Sequence, residues 1–190
     1  MNDHVGAIGG NEMAPPSELL DRTQDARVCE RILDLLESEG ARFRLLLHQP
    51  ERRTDVASRL RGHPLRQAAK CMVVRIKLSK RTSRYVLAVV PGDRLVDLEG
   101  LRLRYGGKDA SFVQEGTAEQ LTGAVCGLIT PFSFHPDLEV VVDPELLQQE
   151  EIFFNAARLD LSVGLNSDDY VSIALPHIAP VAMNASMNLD

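Results

Sequence analysis

Two stretches hold residue types able to act on a carbonyl or an anion. Lys70 opens an apolar run, with Ala68, Ala69, Cys71 and Met72 around it. A strand end would hold its ammonium at the mouth of a cleft, and the small neighbours would leave room for a ligand. A lysine snorkelling from a sheet edge fits the same residues equally well. The second stretch is Gly127-Leu128-Ile129-Thr130-Pro131, inside a segment from Gly123 to Pro136 where two glycines and two prolines break an apolar, aromatic run. Neither period 2 nor period 3.6 is sustained there. Gly127 permits close approach of the backbone, and Pro131 fixes its own φ while driving Thr130 toward an extended conformation. A stiff loop of this kind has free N–H groups that can hold a polarised carbonyl or an anion. A tight bend at a sheet corner would leave the same pattern.

Other chemistries find less support. No CxxC or HExxH occurs, and His4, His48, His63, His135 and His177 lack ligand spacing, so no metal is expected. A GxSxG nucleophile elbow and a Gly-rich phosphate loop are also missing. Cys71 and Cys126 sit in apolar runs, where a thiol is buried and inert. His48, closing a predicted strand, and His135 could orient water or contact substrate, or be plain polar residues at a strand end and a turn. Asp143, ahead of Pro144, reads as a helix cap.

The net charge of −6 over 190 residues hides an asymmetry. From Glu51 to Arg84 there are eleven Lys/Arg, among them Arg52, Arg53, Arg59, Arg61 and Arg66, against two acids, so this segment carries +9 and the remainder −15. A basic region on an acidic body suits local contact with phosphate, though the solvated surface of one helix and two strands would look the same. At 21.0 kDa and 44% hydrophobic composition the chain can bury one core. Neither a membrane span nor a secretory signal is indicated, and three scattered cysteines suit free thiols in a reducing compartment, so a cytoplasmic location is expected.

The elements that must position these residues can be read from periodicity. Residues 1–24, with Gly9, Gly10, Pro15 and Pro16, read as a mobile tail. Val28, Ile32, Leu35 and Leu36 predict a helix closed by Gly40, and Phe43 to Leu47 a strand that feeds His48. Thr54 is a candidate N-cap for a short helix to Arg61. A hairpin follows, Cys71–Leu78 and Arg84–Val90, with a basic tip; its second strand is apolar throughout and so central. Short helices are predicted at Asp97–Tyr105, at Ala118–Leu121 capped by Thr117, after Asp143, and from a Ser167 cap to Leu175. Further strands are predicted at Ala110–Gln114, Leu138–Val142, Ile152–Ala156 and Leu161–Leu165. The interspersed order predicts an α+β domain over 25–176 with a mixed, strongly curved β-sheet and short flanking helices, then a C-terminal tail at 177–190.

In order, Gln67-Ala-Ala-Lys70-Cys-Met-Val-Val, Val86-Leu-Ala-Val-Val-Pro-Gly-Asp93, Leu121-Thr-Gly, Gly127-x-x-x-Pro131-Phe and Val142-Asp143 resemble the YbaK/prolyl-tRNA-synthetase-associated editing domain. Pro131-Phe-Ser-Phe-His-Pro136, Phe154-Asn155-Ala156 and Leu159-Asp160-x-Ser162-Val163 look like its YeaK-type subgroup. The resemblance covers residues 28 to 175 and implies hydrolysis in trans of a wrongly charged aminoacyl-tRNA, with seryl- and threonyl-tRNA as the substrate class and no cofactor. It further implies that Lys70 holds the phosphate at the tRNA 3′ end, and that Gly127, Leu128, Ile129, Thr130 and Pro131 form the loop whose amides surround the aminoacyl carbonyl. His48, Thr54, Ser58, His135, Asn155 and Ala157 are then candidates for the substrate pocket. Arg52, Arg53, Arg61 and Arg66 are candidates for the acceptor stem. Where the family pattern reads Asn-Ala-Gly this chain has Asn155-Ala156-Ala157, a methyl that could narrow the amino-acid pocket. The expected partners are the 3′ end of mischarged aminoacyl-tRNA and an aminoacyl-tRNA synthetase, not a membrane. The competing readings are a non-catalytic module binding tRNA or an aminoacyl-adenylate, and the same enzyme acting on alanyl- or cysteinyl-tRNA.

Overall fold

The computed structural model describes residues 16–184. The elements are α1 (Pro16–Ser38), β1 (Phe43–Leu47), α2 (Thr54–Arg61), a 3-10 turn (Leu65–Gln67), β2 (Ala69–Lys77), β3 (Ser83–Pro91), β4 (Arg94–Val96), α3 (Leu98–Arg104), β5 (Asp109–Phe112), α4 (Glu115–Thr122), β6 (Leu138–Val142), α5 (Pro144–Leu147), β7 (Glu151–Asn155), β8 (Leu161–Asn166), α6 (Ser167–Ala174), β9 (His177–Ile178) and β10 (Ala182–Asn184). The mixture of helices with mixed strands agrees with the α+β reading.

The single curved sheet resolves into three, ordered β5-β2-β3-β6-β9, β1-β8-β7 and β10-β4. The first is mixed, with β3 antiparallel to β2 and parallel to β6. Among the described residues its one backbone bridge to the second is parallel, between Ala68 and Phe153. Continuity is broken there because β2 already has β3 on one edge and β5 on part of the other. β3 alternates Val86, Ala88 and Val90 onto one face and Leu87 and Val89 onto the other, all fully buried, which is why its apolar run does not alternate.

Those two faces carry two cores. One lies between the five-stranded sheet, the three-stranded sheet and α1, and joins Ile32, Leu36, Val89, Val142, Phe154 and Val163. The other joins Val74, Val86, Val141, Leu101 of α3 and Val181. Val28, Cys29, Ile32 and Leu36 of α1 recur at helical spacing and are buried.

Several boundaries differ from the sequence reading. α1 begins at Pro16, inside the expected tail, because proline suits a first helical turn; the expectation for residues 1–15 lies outside the described residues. α4 begins at Glu115 with Gln114 at its cap, not at Thr117. Asn166 rather than Ser167 caps α6, its side chain accepting from the amides of Asp168 and Asp169. Arg53, not Thr54, holds the cap position of α2.

The expected C-terminal tail is partly sheet. β9 pairs with β6, and β10 pairs with β4. The cause is Asp143, 3% exposed. One carboxylate oxygen accepts from Glu145 N at 2.9 Å, capping α5, and the other accepts from Val181 N and Ala182 N, both at 2.8 Å. One carboxylate thus starts a helix and ties down the segment that closes the second core. Asp143→Ala leaves three amides without acceptors, one buried and two partly buried, and should destabilise the fold by about 3 kcal/mol. Urea unfolding measures this, and a loss within about 0.5 kcal/mol would remove the strap.

Candidate active site

β2 lacks a neighbour along part of one edge. β5 pairs only with Val74 to Lys77, and Val113 N donates to Val73 O at 3.1 Å. At the other end Ala68 is bridged to Phe153. Between these points β2 has no partner strand on that side among the described residues, and a cavity of about 380 Å³ lies against the gap. Because Val73 turns its carbonyl toward β5, the main-chain groups of Cys71, two residues earlier, face the same way. Backbone polar groups at such an edge need a partner. A polar substrate can supply one.

The cavity brings together residues far apart in the chain: Lys70 of β2, Gly127 and Ile129 of the loop, Arg52, Thr54 and Arg61 around α2, and Asn155 at the end of β7. Phe112, Glu115, Phe153 and Phe154 complete much of the wall.

The loop is held from outside. Val125 N donates to Asp25 Oδ1 of α1 at 3.0 Å and Cys126 N to Glu119 Oε1 of α4 at 3.3 Å. Leu128 N is spent on Val125 O at 2.9 Å. Tyr170 of α6, fully buried, donates to Pro131 O at 3.0 Å. Gly127, exposed and at φ +94°, makes the turn that an L side chain resists. Leu128, Thr130 and Pro131 are buried and do not line the cavity. Among the described residues the amides of Gly127 and Ile129, which border the cavity, have no hydrogen-bond acceptor. This is the donor set that an oxyanion requires.

Lys70 projects to the side of β2 that Met72 occupies, and its ammonium donates to Arg94 O of β4. Burial holds its pKa below the usual 10.5, with Asp93 opposing that shift. Arg61, expected on the acceptor stem, instead forms part of the cavity wall. Its Nη2 donates to Asn155 Oδ1, its Nε is buried without a partner, and burial lowers its pKa to about 10. It therefore remains charged at neutral pH, with no carboxylate paired to it among the described residues. Two half-buried cations beside a gap in a sheet make this cavity receptive to an anion.

Asn155 is itself held by Ser162 of β8. Ser162, fully buried, donates to Asn155 Oδ1 at 3.2 Å and lies 2.7 Å from His48 Nε2. His48 Nδ1 lies 2.8 Å from Gln49 O. His48 therefore does not line the cavity and reaches it through Ser162. Ser162 was present in the family-like Leu159-Asp160-x-Ser162 pattern but was not singled out there. The pattern alone gives no sign that it links a histidine to a pocket amide.

The remaining expected residues divide. Thr54 lines the cavity, whereas Ser58 is buried and spends its hydroxyl on Thr54 O at 2.7 Å. His135 lies in a separate hollow with Ser133 and His177, accepting from Asp137 N at 3.1 Å. Its loop turns away from the cavity after Pro131. Ala157 is fully buried and outside the lining. Arg52 lies close to Gly127, but Arg53 is paired with Asp55 and Arg66 donates to Gln149 Oε1, both on the exterior. Burial raises the thiols of Cys71 and Cys126 above the usual range, which leaves them poor nucleophiles. Among the described residues no group of three or more His, Cys, Asp or Glu could hold a metal ion. No described helix is long and apolar enough to cross a membrane.

The family model described as "Aminoacyl-tRNA editing domain" matches residues 48–173. The chain is 41% identical over 150 residues to the multifunctional Ser/Thr-tRNA deacylase ProXp-y of Escherichia coli K12, covering 78% of this chain and 89% of that protein. Among solved structures it resembles hypothetical protein APE2540, at a TM-score of 0.72 and 21% identity over 80% of this chain and 99% of that one. A candidate trans-editing enzyme for prolyl tRNA synthetase matches at a TM-score of 0.69 and 18% identity, over 83% of this chain and 98% of that one. At such identities the structural matches speak for the fold.

Two outcomes follow from this geometry. Ala157 sits at φ +53°, a conformation costing an L residue about 1–2 kcal/mol. Glycine would relieve that strain but lose about 0.8 kcal/mol of methyl burial and about 0.4–1 kcal/mol through a freer unfolded chain. Ala157→Gly should therefore shift stability by less than about 1 kcal/mol and leave amino-acid selectivity unchanged. A changed ratio of serine to threonine release would put the methyl at the pocket after all. For Lys70, the folded pKa lies below the unfolded one, so the unfolded chain holds more protons between the two and stability rises with pH across that window. Lys70→Met should be at least as stable as the parent at neutral pH and should flatten that rise. A clear loss of stability at pH 7 would show that the contact with Arg94 outweighs burial.

Proposed function

This chain belongs to the aminoacyl-tRNA editing domain family, and on that footing we propose that it is a free-standing deacylase that hydrolyses the ester of mischarged seryl- or threonyl-tRNA. The observation that carries this reading is the meeting of Lys70 with the Gly127 loop at one cavity. An aminoacyl ester is already activated, so holding it, admitting water and stabilising the oxyanion supply most of what hydrolysis needs.

In this mechanism the 5′ phosphate of the terminal nucleotide rests on the Lys70 ammonium, and the acyl carbonyl oxygen points at the amides of Gly127 and Ile129. Water adds to the carbonyl carbon as negative charge gathers on that oxygen. The bond from carbon to the ribose oxygen then breaks, the ribose oxygen takes a proton, and the amino acid leaves as its carboxylate. Glu115 is the sole carboxylate lining the cavity among the described residues and is exposed. The neighbouring ribose hydroxyl is thus the best-placed group to relay the proton. Asn155, fixed between Arg61 and Ser162, would orient the amino-acid side of the substrate. Arg52 at the rim would meet the acceptor backbone. A synthetase that makes the charging error is the natural source of substrate, in the cytoplasm where charged tRNA circulates.

Purified protein is incubated with labelled seryl-, threonyl-, alanyl- and cysteinyl-tRNA. Serine or threonine release is expected, and Lys70→Ala should cut it by at least about a hundredfold while thermal unfolding stays cooperative. Binding of tRNA with no release from any substrate would overturn the enzyme reading. Full activity in Lys70→Ala would remove the phosphate anchor.

A further inference from the structure

Lys70 stands on a ridge between two cavities. On its far side lies a second cavity of about 490 Å³, which shares Lys70, Met72 and Phe112 with the first and adds Leu95, Asp97, Leu98 and Met183. From this arrangement, and resting on the deacylase reading above, we infer that the second cavity is the subsite for the nucleobase of the penultimate nucleotide of the tRNA, a cytosine.

The direction of the strand argues for it. With the ester at the Gly127 loop, the terminal ribose occupies the first cavity and its 5′ phosphate sits at Lys70. The ammonium already leans toward the second cavity, donating to Arg94 O next to Leu95. The nucleotide on the other side of that phosphate is therefore carried over the ridge.

The surface there suits a base rather than another phosphate. The Phe112 ring is 46% exposed, a large apolar face at the junction of the two cavities on which any base can stack. Leu95, Leu98 and the thioethers of Met72 and Met183 supply the rest of an apolar slot. Beyond Lys70 on the ridge, the polar side chains at the slot's edge are Asp97 and Glu99, acids that repel a further phosphate and can accept from an exocyclic amine. Glu99 has both oxygens committed to Arg102, at 2.6 and 2.7 Å. Asp97 has committed one: Oδ1 accepts from Gly100 N at 2.8 Å. Its Oδ2 is the acceptor left for a cytosine N4 amine, which is the pairing that carboxylates make with this base.

Binding is read with an uncharged oligonucleotide minihelix ending in CCA and with a version abasic at the penultimate position. Deacylation is read on the same two after aminoacylation. Loss of the base should weaken binding to the parent protein about tenfold. Asp97→Asn retains a cap oxygen for Gly100 but turns an amide donor toward the base. It should raise KM about tenfold on the intact substrate, leave kcat unchanged, and have no effect on the abasic one. Met183→Ala, away from the cap, should repeat the pattern more weakly and carries the test if Asp97→Asn fails to fold. Equal losses on both substrates, or a parent protein indifferent to the missing base, would overturn the subsite. Hydrolysis that persists with that indifference leaves the deacylase reading standing. Base-dependent binding without hydrolysis of any ester would sustain the subsite and sink the enzyme.

Discussion

The site depends on the incomplete pairing of β2. A strand that joined β5 and β7 along its whole edge would be more stable, since each ladder bond would be made within the protein, but it would have no place for a ligand. Here β5 stops at the Val74 level and β7 touches only Ala68. The intervening main chain faces a hollow. Side chains from both faces of the sheet reach that hollow around the open edge, which is how Lys70 and the Gly127 loop, belonging to opposite faces, come to border the same space.

Charge placement follows the same logic. Lys70 and Arg61 are both partly withdrawn from water, and burial moves the pKa of each downward, opposed at Lys70 by Asp93 and at Arg61 by no paired carboxylate among the described residues. Such cations cost stability that an apolar residue would recover. They persist where an anionic ligand completes them, and the surrounding ion pairs, Arg53 with Asp55 and Arg94 with Glu145, keep the remaining charges occupied on the exterior. The basic segment visible in the sequence is thus two populations. Some of its arginines face bulk water, whereas Arg61 is a wall of the cavity and Arg52 stands at its rim.

Much of this was legible beforehand because local chemistry spoke for it. The β-branched runs of β3 and β6, the Pro144 start of α5 and the Gly-Pro frame of the loop each reflect a constraint on their own residues. What was illegible depended on a third party. His135 lies just beyond the loop it was expected to serve, yet the chain turns and takes it to another hollow. Ser58 looked available until its hydroxyl met a carbonyl one helical turn back. Arg61 read as surface because nothing in its neighbours reveals that Asn155 will lie against it. Pairings across long separations in sequence have no local signature, and Phe112 and Met72, ordinary apolar residues, gave no hint that they border two cavities.

The strap that Asp143 places on Val181 and Ala182 bears on how the molecule is born. β10 is laid against β4, and β9 against β6, so the second core stays open while most of the polypeptide has already been made. A chain emerging from the ribosome in order cannot shut that side of the sheet until β10 is clear of the exit tunnel. During that interval Val74, Val86 and Val141 lack the part of their cover that Ala179 and Val181 supply. Completion of this fold therefore waits on the docking of Ala179 and Val181, and a nascent chain stalled before they emerge would present a greasy, chaperone-seeking flank.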